Sequence, residues 1–260
     1  MGYKSLKNCL TDLDNKGELR RISKESNPNL EMASIHLDEF ANNGKAILFE
    51  NIRGSNYKAV SNLFGSLYRS RFMFRDSLQI VKDLIEIKTN PIFAFKNPVK
   101  AFFIALNGIF AIPKKVNFKD FQEIQINDLP QIKCWKNDGG SFITLPQVYT
   151  EDIDNPGIMN SNLGMYRIQL SGNEYSENRE VGMHYQIHRG IGVHQKKANQ
   201  KGEPLRVSIF VGGPPAHTFA AVMPLPEGMS EISFAGVLAK RRFRYAKKDG
   251  YTISADADFV

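Results

Sequence analysis

The sequence predicts an α+β fold in which an N-terminal α/β domain, residues 1–115, precedes a β-rich domain, residues 116–260. Three observations support this prediction. Helical apolar spacing alternates with short apolar strands through the first third of the chain. A polar, charged connector then ends at Pro130. Beyond it, short strands alternate with turn residues and few helices intervene, a pattern for which an antiparallel barrel is the natural solution.

The N-terminal domain is predicted from helix periodicity and from the glycines that end its helices. Leu6, Leu10 and Leu13 recur at helical spacing, and Gly17 follows as a stop. Gly44 is predicted to close a second helix in the left-handed conformation. The other predicted elements are a strand at Glu18–Ile22, the second helix at Leu30–Asn43, strands at Ala46–Phe49 and Ala59–Asn62, a turn at Gly65 and a helix at Ser77–Ile87.

The second domain is predicted to follow the connector Asn117–Leu129. Its strands are short apolar runs bounded by turn residues. A polar stretch beginning at Gly172-Asn173 is expected to join the second strand to the third as a hairpin connection. The predicted strands are Ser141–Leu145, Gly164–Leu170, Gly182–His188, Leu205–Phe210 and Ala220–Met223.

The composition is that of a globular protein with a basic balance. The 260 residues are 42% hydrophobic and 23% charged, with a net charge of +7. Such a charge fits either an anionic partner or an ordinary basic enzyme. The richest basic run, Lys240–Lys248, has interleaved aromatics that could stack on bases. A strand and turn with one solvated face is the favoured interpretation, so no nucleic-acid partner is predicted.

Targeting and redox features indicate a cytoplasmic protein. Cys9 and Cys134 lie far apart without metal-type spacing, as expected in a reducing compartment. The N-terminus lacks the apolar core of a signal peptide. The longest apolar run, Ala101–Ile112, is too short to span a bilayer and is expected to form a buried helix. No transmembrane segment is predicted.

Five polar residues in the second domain suggest a metal-linked phosphate site. Asn162, His184 and Glu231 offer an amide oxygen, an imidazole and a carboxylate, a mixed set that suits Mn²⁺ or Mg²⁺. Arg167 and Arg189 add guanidiniums, which bind phosphate oxygens through bidentate hydrogen bonds. Four of these residues also have an ordinary alternative. Asn162 could form a turn, His184 could be an ordinary strand histidine, and Glu231 could cap a helix starting near Ser230. Arg167 could be a strand arginine that pairs with a surface acid.

The sequence around these residues closely resembles that of the UbiD family of decarboxylases, which use prenylated FMN. The resemblance extends from about Leu6 to the last residue and consists of many separate motifs in one order. The matching runs are Leu48–Asn51, Asn62–Gly65, Leu129–Pro146, Asn162–Arg167, Gly182–His184, Arg189–Gly190, Gly212–Ala216 and Glu231–Gly236.

The resemblance implies a cofactor site and a reaction. It implies that Asn162, His184 and Glu231 bind Mn²⁺, or another divalent cation, against the flavin phosphate. Arg167 is the implied catalytic residue, which orients the carboxylate of an aromatic or α,β-unsaturated acid that loses CO₂. His188 is expected to be structural. The implied cofactor-binding residues are Asn162, Met165, Tyr166, Arg167, His184, Tyr185, Gln186, Arg189, Gly190 and Glu231.

The family pattern further implies a split β-barrel related to flavin reductases, here incomplete at its C-terminal end. The family's acidic motif, Glu-Gly-Pro-Phe/Tyr-Gly-Glu/Asp, does not occur in these residues, and Asp256 and Asp258 do not replace it. The chain alone is therefore expected to be inactive. The implied partners are the carboxylic acid substrate, a flavin prenyltransferase as cofactor supplier and, in a full-length form, further copies of the chain. Quinone biosynthesis is the pathway that the resemblance suggests.

Two other functions compete with this one. A non-catalytic flavin- or phosphate-binding module would need no acidic motif. A basic nucleic-acid-binding protein would bind in a salt-sensitive manner. Hydrolase and nucleotide P-loop functions find no support, because the Gly212–Ala216 run lacks the Gly-Lys-Ser/Thr ending and no Gly-x-Ser-x-Gly sequence occurs.

Overall fold

The structure, a computed structural model, describes residues 2–90, 98–117, 121–225 and 229–260. Within those ranges the fold is mixed α+β, and its twelve strands form four three-stranded sheets with no closed barrel. The helices are α1 Leu6–Asn15, α2 Glu31–Ala41, α3 Leu67–Met73, α4 Leu78–Thr89, α5 Pro98–Asn107, α6 Gly190–Lys201, α7 Pro215–Ala220 and α8 Glu231–Ala239. The strands are β1 Leu19–Ile22, β2 Ala46–Phe49, β3 Ala59–Ser61, β4 Lys114–Lys115, β5 Phe142–Ile143, β6 Gln147–Glu151, β7 Ser161–Gly164, β8 Ile168–Gln169, β9 Gly182–Met183, β10 Val207–Phe210, β11 Arg244–Lys248 and β12 Tyr251–Ser254.

The first part of the chain folds close to its prediction. β1 pairs in parallel with β2, and β3 pairs antiparallel on the other side of β2. The Ser5 hydroxyl accepts a hydrogen bond from the Asn8 amide at 3.2 Å and so caps α1. One detail of the prediction is wrong. The left-handed residue after α2 is Asn43, with φ of 52°, and not Gly44. Asparagine tolerates this conformation better than most residues because its short side chain bonds locally.

A buried arginine ties several segments of this region together. Arg69 on α3 is only 1% exposed. Its guanidinium donates to the carbonyls of Asn62 at 2.7 Å, Leu63 at 3.0 Å and Gly44 at 3.1 Å. It also pairs with the Glu18 carboxylate at 3.2 Å. A single side chain therefore holds the end of β3, the turn before β2 and the start of β1 against α3.

The second half of the chain is built from short antiparallel ladders. β6 lies between β10 and β7, and β8 lies between β5 and β9. The predicted hairpin connection after Gly172 is confirmed, because it joins β8 to β9. The predicted strand Gly182–His188 keeps only its first two residues. The predicted strand Ala220–Met223 is wrong, since a helix ends there and a turn follows.

Three helices, α6, α7 and α8, interrupt the region in which strands were expected. Helix α8 is buried almost all round, with Ile232 at 1%, Ala235 at 0% and Leu238 at 4% exposure. It packs on α7 and on β7. An α+β architecture is thus confirmed, whereas the described residues do not close a barrel. In the predicted connector, residues 118–120 lie outside the described ranges.

The longest apolar run is helical in its first part, as expected, but those of its residues whose burial is described are not buried. It forms the C-terminal part of α5 and a 3₁₀ turn at Gly108–Ala111. Phe102, Leu106 and Ile109 there are each more than half exposed. Within the described ranges, no helix is both long and apolar enough to cross a membrane.

The predicted strand and turn in the basic run are confirmed by β11 and the turn that follows it. Asp256, 5% exposed at its side chain, pairs with Arg241 at 3.0 Å and with Arg244 at 3.2 Å. Asp258 accepts a hydrogen bond from the Gly213 amide at 2.9 Å. Both acids therefore make contacts that hold segments of the fold together.

Candidate active site

The small β5–β8–β9 sheet brings two of the predicted site residues side by side. Arg167 immediately precedes β8, and His184 immediately follows β9. The His184 amide donates to the Arg167 carbonyl at 3.1 Å. The antiparallel ladder therefore places the candidate catalytic cation beside a candidate metal ligand, although seventeen positions separate them in the sequence.

Arg167 is held by an acid that the sequence did not single out. Its Nη2 donates to Asp138 Oδ1 at 2.6 Å, and its guanidinium lies 3.6 Å from the centre of the Phe142 ring. This ion pair, together with the hydrogen bond from the Trp135 amide, holds the pKa of Asp138 below its usual range. Asp138 lies inside the family-like run Leu129–Pro146. The signal in the sequence that could have identified Asp138 is its position directly before a pair of glycines.

His184 makes one polar contact and one ring contact. Its Nε2 lies 3.0 Å from Gln169 Oε1, and its ring meets Phe142 edge-on with centroids 5.4 Å apart. Gln169 and Phe142 are register partners in the β5–β8 ladder. A histidine that ligates a metal usually donates its second ring N–H to such an acceptor. With Nε2 on Gln169, Nδ1 is the nitrogen left for a ligand.

Asn162 and Glu231 meet on another side of the site. Glu231 opens α8, and its carboxylate accepts a long hydrogen bond of 3.5 Å from the Leu163 amide, next to Asn162 on β7. Burial raises the pKa of the Glu231 carboxyl. Among the residues that the structure describes, no cation pairs with this carboxylate. The side-chain nitrogen of Asn162 is buried without a hydrogen-bond partner.

Arg189 and Gly190 form the beginning of α6, which the sequence prediction missed. Arg189 is the N-cap residue, and the amide of Gly192 bonds back to its carbonyl at 2.8 Å. A helix N-terminus carries partial positive charge and favours anions. A Cβ added to Gly190 would lie 2.0 Å from Asn162 Oδ1, so the glycine lets the Asn162 side chain approach the helix.

Two aromatic residues complete the predicted set. The rings of Tyr166 and Tyr185 meet at 61° with centroids 6.1 Å apart. Burial raises the pKa of Tyr166. His188, for which no site role was predicted, is exposed.

All ten predicted site residues line one cavity of about 940 Å³. A second cavity of about 710 Å³, largely apolar, shares Asn162, Gly190 and Glu231 with it. No group of three or more His, Cys, Asp or Glu side chains placed to hold a metal occurs in the described part of the chain. The predicted ligand set contains an asparagine and only two such residues, so it stays a prediction. The ten cavity residues are Asn162, Met165, Tyr166, Arg167, His184, Tyr185, Gln186, Arg189, Gly190 and Glu231.

Comparison with solved structures shows a shared fold. Vanillic acid decarboxylase from Sedimentibacter hydroxybenzoicus, in its closed form, superposes with a TM-score of 0.79 at 24% identity. That match covers 99% of this chain and 54% of the other. An evolved dimeric form of the UbiD-class enzyme HmfF from Pelotomaculum thermopropionicum, solved with prFMN, gives 0.75 at 20% identity, covering 98% of this chain and 55% of the other.

Relatives found by sequence have higher identities than these solved structures. A polypeptide of the 4-hydroxybenzoate decarboxylase of Chlamydia pneumoniae is 35% identical over 246 residues, which are 90% of this chain and 40% of that protein. An uncharacterised protein of Archaeoglobus fulgidus is 34% identical, and the match covers 94% of this chain and 50% of that protein. The chain thus spans about half the length of the relatives it matches.

The family assignment rests on two further matches that together account for most of the sequence. Residues 10–88 match the N-terminal domain of 3-octaprenyl-4-hydroxybenzoate carboxy-lyase, UbiD. Residues 111–260 match the Rift-related domain of the same family, and these are more than half of the chain. The chain therefore belongs to the UbiD family of carboxy-lyases.

Proposed function

We propose that this chain forms the cofactor-binding part of a decarboxylase that removes CO₂ from an aromatic or α,β-unsaturated carboxylic acid on prenylated FMN. The observation that carries the proposal is the single cavity lined by all ten residues predicted to bind the cofactor. Its volume of about 940 Å³ lies within the range of small-molecule and cofactor sites. The division at about residue 115 and an incomplete split barrel around the cavity remain part of the proposal.

The phosphate of the cofactor would bind at the α6 end of the cavity. The N-terminus of α6 offers backbone N–H groups, and Arg189 adds a charged donor. Glu231 fits a divalent cation there, because its partly buried carboxylate has no cationic partner among the described residues. Asn162, His184 and Glu231 would hold Mn²⁺, or another divalent cation, whose charge would offset that of the phosphate.

Arg167 would bind and orient the carboxylate of the substrate. A guanidinium stays charged at any working pH, so it can hold a carboxylate without releasing a proton. Its Nη2 is engaged by Asp138, which fixes the plane in which the rest of the guanidinium faces the cavity. When bound, prenylated FMN would supply the electron-accepting centre on which CO₂ is lost.

The identity of the acid is the least constrained part of the proposal. The Chlamydia pneumoniae relative, by its name, acts on 4-hydroxybenzoate, and the Sedimentibacter enzyme on vanillic acid. We therefore propose a hydroxybenzoate-type acid, as used in quinone biosynthesis, in a cytoplasmic enzyme that receives its cofactor from a flavin prenyltransferase. The dimeric HmfF form supports a homo-oligomer.

The test is reconstitution with cofactor and metal. The protein is co-expressed with a flavin prenyltransferase, supplied with Mn²⁺ and analysed for bound flavin and metal by mass spectrometry. We expect retention of prenylated FMN and one equivalent of metal in the wild type, and loss of both in His184→Ala. His188→Ala is the matched control, since His188 is also exposed but does not line the cavity.

The outcomes separate the parts of the proposal. Equal metal and flavin retention by His184→Ala and His188→Ala would show the ligand assignment to be wrong. Failure of the wild type to retain flavin would show that these residues do not form the cofactor site by themselves. Retention without CO₂ release from 4-hydroxybenzoate is the expected result, because the acidic motif is absent from these 260 residues.

A non-catalytic flavin- or phosphate-binding module is the second candidate. The observation in its favour is the same missing motif, together with the structural roles of Asp256 and Asp258. It differs from the first candidate in one measurable respect. Supplying the acidic motif on the corresponding C-terminal part of a UbiD relative would restore CO₂ release under the first candidate and would leave the module inactive under the second.

A further inference from the structure

The run Leu129–Pro146 is the longest family-like motif in the sequence, yet none of its residues except Thr144 lines the site cavity. Two of its side chains instead lie directly behind residues that do. Asp138 bonds to Arg167, and Phe142 contacts both Arg167 and His184. The motif therefore supports the wall of the cavity without forming its surface.

We propose that Asp138 and Phe142 are positioning residues that fix the guanidinium of Arg167 in the cavity wall. The Arg167 side chain is 40% exposed, so packing alone does not fix it. The carboxylate of Asp138 is only 12% exposed and holds one edge of the guanidinium. The Phe142 ring, 4% exposed, supports its face at 3.6 Å, well within the range of a cation–π contact.

The backbone around Asp138 is fixed to the sheet that carries Arg167. A Cβ added to Gly140 would lie 1.9 Å from the Ser171 carbonyl oxygen, so only glycine permits this approach. The Leu170 amide donates to the Ser141 carbonyl at 2.8 Å. Asp138 itself accepts a hydrogen bond from the Trp135 amide at 3.2 Å. The loop that carries Asp138 is thus fixed by backbone contacts with the sheet, and the carboxylate is fixed by its own hydrogen bond.

Phe142 extends the same support to His184. The β5–β8 pairing places Phe142 opposite Gln169, and these residues contact His184 by ring edge and by hydrogen bond respectively. The Phe142 ring therefore contacts both Arg167, the candidate carboxylate-binding group, and His184, a candidate metal ligand. A change at Phe142 is expected to disturb both, whereas a change at Asp138 disturbs Arg167 alone.

The inference that this arrangement serves substrate orientation rests on the proposed function, but its geometry can be tested without any cofactor. Phenylglyoxal modifies arginines, and peptide mass spectrometry resolves the rate at each one. In Asp138→Asn we expect the rate at Arg167 to rise about threefold or more, because a charge-assisted hydrogen bond that shields it is lost. Asp138→Glu, which keeps the charge, is expected to restore most of the protection.

The control variant is Asp154→Asn. Asp154 is 48% exposed and pairs with Lys201 at 2.7 Å, so its loss removes an acid that Arg167 does not contact and is expected to leave the rate at Arg167 unchanged. The buried Arg69 reports on unfolding, since its modification rises only if the fold opens. Should Asp138→Asn open the fold, Phe142→Leu decides the question, because it removes the ring and keeps the acid.

An unchanged rate at Arg167 in folded Asp138→Asn, or in folded Phe142→Leu when that variant decides, would overturn the proposal. A raised rate at Arg167 in the variants, together with a wild type that fails to retain flavin, leaves the positioning role standing and shows that these residues do not form the cofactor site by themselves. The two failures are therefore distinguishable in one set of samples.

Discussion

Replacing Arg69 with methionine should destabilise the protein more than any surface substitution. The methionine keeps much of the apolar stem and removes the guanidinium. The carbonyls of Asn62, Leu63 and Gly44 lose a donor, and Glu18 loses its cation. Buried acceptors that lose a charged donor retain their desolvation cost, which makes such losses larger than those of exposed pairs.

The magnitude follows from these contacts. Hydrogen bonds to charged groups contribute about 1.5–3 kcal/mol each, so the three carbonyl bonds alone would sum to about 4.5–9 kcal/mol. Removing the buried cation also removes its own desolvation cost, and breaking buried pairs typically costs about 3–5 kcal/mol. We therefore expect the free energy of unfolding to fall by about 3–5 kcal/mol.

Urea denaturation measures this change as a shift in midpoint at an unchanged slope. Arg53→Met is the matched control, because Arg53 is 63% exposed and pairs with Glu25 at 2.9 Å. Exposed pairs contribute about 0–1 kcal/mol. If Arg69→Met costs no more than Arg53→Met, then the hydrogen bonds of the guanidinium do not hold β1, β2 and β3 against α3, and the reasoning is refuted.

Two further predictions concern a glycine and a histidine. Gly190→Ala should weaken FMN binding about tenfold or more in a fluorescence titration, because the new Cβ displaces Asn162 from the cavity wall. Gly108→Ala is the control, because a Cβ added there meets nothing within 4 Å. Equal FMN affinities for the two variants would contradict the placement of Asn162. Burial lowers the pKa of His217 to about 3, so its neutral form contributes stability that is complete above the unfolded pKa of about 6.5 and is lost as pH falls below it. Between pH 6.5 and 5, stability of the wild type should therefore decline more steeply than that of His217→Phe, by up to about 1.4 kcal/mol per pH unit, and parallel pH profiles would refute a buried neutral ring.

The sequence predicted the first part of the fold well because its signals are local. Leu6, Leu10 and Leu13 define one apolar face, and the helix ends at Asn15, just before the predicted stop at Gly17. Ala46–Phe49 is a fully buried strand whose bounds match the prediction. Such elements are specified by neighbours along the chain, so periodicity alone finds them.

Helix α8 was raised only as the alternative for Glu231, a helix starting near Ser230, and Ser230 is indeed its N-cap residue. It was not favoured as an element because it is apolar on every side. A helix buried all round has no polar face, and without a polar face there is no amphipathic period to detect. Helix α6 was missed for a different reason, because it begins Gly-Ile-Gly and glycine is disfavoured in helices, although the Gln and Lys residues that follow are good helix formers. Both helices are stabilised by tertiary packing, which sequence spacing does not record.

The candidate site shows the same contrast. Its ten residues were predicted from the resemblance of sequence motifs to those of the family, and all ten line one cavity of the structure. Asp138 and Phe142 were not singled out, because their role depends on strand register and not on residue type. Only the pairing of β5 with β8 brings this acid and this ring to Arg167.

The partition between the two cavities has a thermodynamic consequence. Asn162, Gly190 and Glu231 face both the site cavity and the apolar cavity beside α4 and α8. A small apolar molecule that filled the second space and moved this partition would change cofactor affinity by some factor. Because coupling free energies are reciprocal, the cofactor would change the affinity of that molecule by the same factor. A ligand of the apolar cavity could therefore act through the partition without competing with the proposed flavin.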